Sequence, residues 1–241
     1  MKILGIDSSG LTASVALYDN GKIVAVNSVN NNKTHSQTLL PMVMHVMEQA
    51  EIDIDDIDAI AVAEGPGSFT GLRIGAATVK GLALASKKPV VPVSTLEGLA
   101  YIYAGSYGYV CPVMDARRGQ VYTAVYTFDG TNLSEMTELE APQAVDYEEI
   151  LDKLNEICQD KCIYFTGDGV LVHEEKIRNK IGERAVIAEP HKRFQDAAAV
   201  AVLGAKKYEK GVCVTGAEFE PVYLRLSQAE RERMEKEKGN N

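Results

Sequence analysis

One element order occurs twice along this chain, and that repetition constrains the fold more than any single residue does. Apolar alternation and turn residues predict strands over 2–7, 13–19 and 22–29, the last two joined by a tight Asn20-Gly21 turn. Helix 35–50, strand 59–63, helix 69–85, strand 90–93 and helix 95–103 follow from the apolar periodicity. Gly105-Ser106-Tyr107-Gly108 breaks the pattern, which then begins again. Strands are expected over 109–115, 121–128 and 133–139, with Asp129-Gly130 turning the last two. Helix 147–158, strand 162–166, helix 170–181, strand 185–187 and the alanine-rich helix 195–208 complete the second unit. The order is βββαβαβα in each half of an α/β chain, which divides it into lobes 1–105 and 106–212 and a C-terminal segment, 213–241, with a charged tail.

At 241 residues and 46% hydrophobic content, the chain can bury a sizeable core. It has no run of about 18 uncharged apolar residues. Met1-Lys2 leads directly into the strand-like Ile3-Leu4-Gly5-Ile6, so a cytoplasmic protein without membrane contact is expected. The net charge of −9 opposes independent binding to a polyanion, because phosphate affinity comes mainly from Lys and Arg displacing counterions. Of Cys111, Cys158, Cys162 and Cys213, only Cys158 and Cys162 lie close, and they lack a second pair or a nearby histidine to complete a zinc site.

The richest local pattern is Gly65-Pro66-Gly67-Ser68-Phe69-Thr70-Gly71-Leu72-Arg73-Ile74-Gly75. It ends a strand and opens a helix, so free amides at the helix start could receive an anion. Gly71 and Gly75 also lie four apart on one helical face, with Gly81 beyond, which suits close approach of a neighbouring element. The steric reading is favoured, because the pattern runs past the first turn, beyond which an anion is out of reach. Asp7-Ser8-Ser9-Gly10 is the candidate cofactor-binding stretch. A carboxylate at a strand end, followed by small residues, leaves room for a phosphate or hydrated cation, and Asp7 could equally cap the turn through an Asx bond. Met114-Asp115-Ala116-Arg117-Arg118-Gly119, its counterpart in the second half, is poor in glycine and carries two arginines. Gly167-Asp168-Gly169 suits any strand-to-helix turn. No Gly-x-Ser-x-Gly elbow occurs, and His35, His45, His173 and His191 are too dispersed to place beside a nucleophile. The acidic run 53–58 reads as a solvated loop, so neither a catalytic residue nor a metal-ligand set emerges.

Helix 35–50 carries a different signal. Leu39, Leu40, Val43, Met44, Val46, Met47 and Ala50 give it an apolar surface wider than one buried stripe requires. The helix after the glycine run is its natural neighbour, and Leu39, Leu40, Val43, Met44, Met47, Leu72, Ile74 and Val79 form the candidate partner interface. Core packing accounts for part of the same pattern. Two such helices from each of two related subunits would make a four-helix contact.

The tandem units are similar to the plan of the actin, sugar-kinase and Hsp70 superfamily, in which two ribonuclease-H-like lobes face each other across a cleft. That resemblance places a phosphate hairpin at Asp7–Gly10 and an adenosine-contacting loop at Gly167–Gly169. The glycine run resembles that of the universal tRNA threonylcarbamoyladenosine-synthesis proteins. In their catalytic member, the stretch matching Val93-Ser94-Thr95-Leu96-Glu97-Gly98-Leu99 reads Val-Asn-His-Leu-Glu-x-His, and its two histidines hold a metal. Thr95 and Leu99 stand in that register here; a hydroxyl is a poor ligand and an aliphatic side chain is none.

Ile3-Leu4-Gly5-Ile6-Asp7-Ser8-Ser9, Thr34-His35-Ser36, Met114-Asp115-Ala116-Arg117-Arg118-Gly119-Gln120-Val121-Tyr122 and Pro221-Val222-Tyr223-Leu224-Arg225 are together similar to the TsaB (YeaZ) family. The resemblance implies a non-catalytic dimerisation and activator subunit of the complex that transfers threonylcarbamoyl to adenosine 37 of tRNA. Its implied partners are the metal-bearing catalytic subunit TsaD and the small ATPase TsaE, with tRNA met only through the complex. Homodimerisation through the same surface stays open. No metal or cofactor of its own is implied, and ATP or ADP would sit at an interface of the complex. An independent ATP-binding enzyme of the actin/sugar-kinase superfamily is the alternative, and a glycoprotease-like metallopeptidase the third.

Overall fold

The computed structural model describes residues 1–31, 33–128, 132 and 135–225. The first half runs β1 (Lys2–Asp7), β2 (Ala13–Asp19), β3 (Lys22–Val29), α1 (His35–Gln49), β4 (Ala59–Gly65), α2 (Phe69–Ser86), β5 (Val90–Ser94) and α3 (Thr95–Tyr101). The second runs β6 (Gly108–Asp115), β7 (Gln120–Phe128), β8 (Thr137–Asp146), α4 (Tyr147–Ile157), β9 (Ile163–Thr166), α5 (Gly169–Ile181), β10 (Ala185–Ile187) and α6 (Ala197–Glu209). Each half builds a five-stranded sheet, in the orders β3-β2-β1-β4-β5 and β10-β9-β6-β7-β8. The three leading strands of each sheet are antiparallel, and the later two join in parallel through helical crossovers. Asn20 and Gly21 both take positive φ, 46° and 88°, as the two-residue hairpin turn between β2 and β3 demands.

One strand departs from expectation. The third strand of the second half, expected over 133–139, is β8 and runs on to Asp146. It is an edge strand with Pro142 inside it and mostly exposed or half-buried side chains, so it carries little of the apolar alternation that marks a strand. The Asp129-Gly130 turn and the charged tail from 226 lie outside the described residues.

Helices α1 and α2 cover one face of the first sheet, where Leu39, Val43, Val46 and Val79 pack on Leu4, Ile6, Val15 and Ile60. Alternation along β1 sends Ile3 to the opposite face, beside Ala61, Val91 and Val93. That face is covered by α6, the last helix of the second half, through Val200 and Leu203. A Cβ on Gly5 would collide with the Ala197 carbonyl, and one on Gly204 with Ala61, so the small residues of α6 are set by how closely it lies on the sheet. The second sheet has α4 and α5 on one face. Its other face is covered by α3, which packs Leu96, Leu99 and Ala100 against Val110, Met114, Ala124 and Tyr126. The lobes therefore exchange their closing helices.

Beyond α6 the chain returns to the first lobe. Val90 and Val214 exchange two backbone hydrogen bonds of 2.8 Å, and Phe219 is buried in the first core. Among the described residues, no helix is long and apolar enough to cross a membrane.

Candidate inter-lobe site and partner face

The turn Asp7–Gly10 is where β1, α1, α2 and the approach to α6 meet. Asp7 Oδ1 accepts from the Ser9 amide at 2.9 Å and from the Ser9 hydroxyl at 2.6 Å, closing an Asx turn. Burial pushes the Asp7 carboxyl up to about 6; the Ser9 bonds pull it down, and nearby Asp196 adds a smaller upward push. The Ser68 amide donates to the Ser9 carbonyl at 2.7 Å, and His35 Nε2 donates to the Gly10 carbonyl at 2.8 Å. Gln195 lies over Gly10, so that a Cβ there would run into its amide group. Asp7 and Ser8 are thus taken up in holding elements together, whereas Ser9 and Gly10 reach the space between the lobes.

The glycine run serves the same junction. A Cβ on Gly67 would collide with the Ser9 carbonyl, and one on Gly75 with the Ser8 hydroxyl, while Gly81 faces open space. Gly67 and Gly75 let the run lie close against Ser8 and Ser9, as the steric reading has it. Gly167 (φ 102°) and Gly169 likewise lie against Val113, so the Gly167–Gly169 loop is tucked onto β6.

Between the lobes is a cavity of about 400 Å³, lined by Ser9, Gly10 and Phe69 from the first lobe and by Asp115, Tyr122 and Asp168 from the second. Val222, Tyr223 and Arg225 of the returning C-terminal segment form a further wall. The Phe69 and Tyr223 rings stand 4.8 Å apart, and the Arg73 guanidinium lies 3.9 Å from the Phe69 centroid. Asp168 accepts from the Asp115 amide at 3.3 Å, and burial raises its carboxyl above the usual range. The counterpart turn of the second lobe offers few free amides: Arg117 donates its own to Asp115 Oδ1 at 2.7 Å.

Thr95 and Leu99 are 0% and 1% exposed. Leu99 belongs to the core beneath α3, and Thr95 Oγ1 has no hydrogen-bond partner among the described residues. Beside them Glu97 pairs with Lys207 at 2.7 Å, joining α3 to α6, and burial raises the carboxyl of Glu64. A metal does not fit the Thr95 and Leu99 positions, and among the described residues no group of three or more His, Cys, Asp or Glu is placed to hold one. His35 serves Gly10, His173 stacks on Tyr147 at 3.9 Å, and His45 and His191 are exposed. In the acidic run, the Asp53 amide donates to the Asp56 carboxylate at 2.9 Å, a local cap, and the Lys2 amide donates to Asp58 at 2.7 Å, tying the run to the start of β1.

The candidate partner interface divides in two. Leu39, Val43, Met47, Leu72 and Val79 are buried within the chain's own core, and that corrects their expected place on a partner face. A helical repeat shows how wide an apolar surface is, not which stripe the sheet claims. Here β2 and β3 claim the stripe of Leu39, Val43 and Val46. Leu40 and Met44 point outward at 48% and 65% exposure, Ile74 is half-buried, and Leu84 is exposed.

Phe69, Tyr122, Gln195, Tyr223 and Arg225 have no site role in the sequence reading. Phe69 lies in the glycine run, and Tyr122, Tyr223 and Arg225 lie in family-like segments. What brings Tyr223 and Arg225 to Phe69 and Tyr122 is the return of the chain after α6, which no local pattern marks.

Residues 25–233 match the family model described as TsaD: tRNA N6-adenosine threonylcarbamoyltransferase. The Bacillus subtilis (strain 168) protein named tRNA threonylcarbamoyladenosine biosynthesis protein TsaB is 32% identical over 99% of this chain and 100% of its own length. YeaZ from Pseudomonas aeruginosa superposes with a TM-score of 0.76 at 28% identity, over 92% of this chain and 99% of that one. Component A of the Acidaminococcus fermentans (R)-2-hydroxyglutaryl-CoA dehydratase shares the fold alone, with a TM-score of 0.51 at 12% identity over 87% and 99% of the two chains. Two α/β lobes around a cleft define a class of fold that this chain shares with YeaZ and, as fold alone, with the dehydratase component. Within that class the chain belongs to the TsaB (YeaZ) family.

Proposed function

We propose that this chain acts in tRNA threonylcarbamoyladenosine biosynthesis as the non-catalytic subunit that binds and activates a TsaD-like transferase. The observation that carries this reading is the packed core at Thr95 and Leu99, where the catalytic relative holds its metal. The outward Leu40 and Met44 on α1, next to α2, support a docking face, since apolar clusters of this kind mark partner sites. The contribution is one of equilibrium. Binding energy holds the partner's lobes in the competent arrangement and raises its active fraction without adding a catalytic group. A TsaE-like ATPase joins the pair, and a net charge of −9 favours tRNA contact through the assembly.

Reconstitution tests this. The chain with a TsaD-like subunit, the ATPase and a threonylcarbamoyl-adenylate synthase should modify tRNA, and omitting the chain should stop or sharply slow the reaction. Transfer by the chain alone would sink the proposal. A second reading, ATP or ADP in the cleft, draws on the 400 Å³ cavity with Ser9 and Gly10 at its wall. Calorimetry of the isolated chain with ATP and magnesium separates the two, because a scaffold takes up no nucleotide by itself.

A further inference from the structure

Residues Phe219–Arg225 cross the mouth of the cleft, and their two ends are held in different ways. On the first lobe the segment is built in: Phe219 is 2% exposed inside the core, and the Val222 amide donates to the Glu64 carbonyl at 2.7 Å. The end of β4 is shaped to receive it. Gly65 has a φ of 125°, and a Cβ there would collide with the Val222 carbonyl. Tyr223 then lies against Phe69, at the start of α2.

On the second lobe the hold, among the described residues, is the guanidinium of Arg225, whose Nη1 donates to the carbonyl oxygens of Ala116 and Arg117, the latter at 3.3 Å. Nη1 carries two N–H donors, one for each acceptor. Those carbonyls belong to a turn in which Arg117 and Arg118 take φ of 66° and 60°, a left-handed conformation that residues with a Cβ enter only at a cost. Such a turn persists when its surroundings engage it, and Arg225 engages it from across the cleft.

We infer that Phe219–Arg225 is a strap that sets the angle between the lobes, with Arg225 as its catch. One end is part of a core and the other is one charged side chain on a surface turn, so the catch opens without taking either lobe apart. The exchanged helices keep the lobes joined when it does, and the motion is a change of angle about them. Because Val222, Tyr223 and Arg225 also wall the cleft, its width and the lobe angle change together.

Two exposed cysteines place one label on each lobe. Cys162 precedes β9 of the second sheet, and Cys213 adjoins Val214, which pairs with β5 of the first; Cys111 and Cys158 are buried. The full chain, spin-labelled at Cys162 and Cys213, should give one narrow distance by double electron–electron resonance. Arg225→Ala should broaden that distribution or add a second distance, with the circular dichroism unchanged. Val222→Pro removes the amide bonded to Glu64 and should do the same from the other end. A distribution left narrow by either variant overturns the strap, and so does unfolding of the chain by Arg225→Ala, since a catch is dispensable to each lobe's core.

Discussion

The hydroxyl of Ser8 donates to the Gly71 carbonyl oxygen at 2.9 Å, tying the turn after β1 to the helix that opens from the glycine run. The same approach explains why position 71 has no side chain, because a Cβ there would collide with the Ser8 carbonyl oxygen. Gly81, ten positions further along α2, meets nothing within 4 Å.

The two glycines should therefore respond in opposite directions to the same change. Gly71→Ala is expected to lose about 1–3 kcal/mol, as overpacking of a tight contact does. Gly81→Ala should gain about 0.5–1 kcal/mol, because an exposed helix interior favours alanine. Urea denaturation of the three proteins measures both. A Gly71→Ala protein as stable as the parent would show that α2 can move away from Ser8.

Asp7 makes stability depend on pH. Its carboxyl titrates near 6 in the fold against 3.8 in the open chain, so the folded state binds the proton more tightly. The stability this provides is full below the open-chain value and is lost as pH rises through the folded one, amounting to about 3 kcal/mol at most. Asp7→Asn keeps an acceptor for Ser9 and loses the titration. Denaturant midpoints should place this variant above the parent at about pH 8 but not at about pH 4. A parent whose midpoint does not fall between those two conditions would contradict the assignment.

Adjacent residues on α1 should separate folding from association. Val43→Asp puts a charge among Leu4, Ile6 and Val15 and should cost several kcal/mol, about 3 or more. Met44→Asp changes an outward side chain and should shift monomer stability by no more than about 0.5 kcal/mol. If α1 docks a TsaD-like subunit, Met44→Asp should nevertheless prevent co-purification. Thermal melting and pull-down, run on both variants, read the two effects independently. Retained binding by Met44→Asp would remove this face from the interface.

Much of the layout is legible from local pattern. β1, β2, β3 and β10 end where alternation and turn residues end, since each is bounded by a turn signal. β8 is not, because an exposed edge strand with Pro142 needs no apolar face. The exchange of α3 and α6 is invisible to periodicity, which reports that a face is buried and not which sheet buries it. The same limit applies to Val43 and Met44, neighbours in sequence of which one is buried and the other exposed. At the cleft, Ser9 and Gly10 can be anticipated from the end of β1. Arg225 cannot, because its partners Ala116 and Arg117 lie more than a hundred residues away in the chain.

The helix exchange also bears on how the chain comes off the ribosome. When the first sheet has emerged, Ile3, Ala61, Val91 and Val93 still have no cover, because the helix that seals them is Ala197–Glu209. At roughly 5–20 residues per second, that greasy face waits on the order of ten seconds for that helix to be made. During this interval nascent-chain chaperones have a binding site that the finished protein lacks. A message cut short anywhere before α6 yields a first sheet with one side open, so the first lobe is secure only after the second has been made.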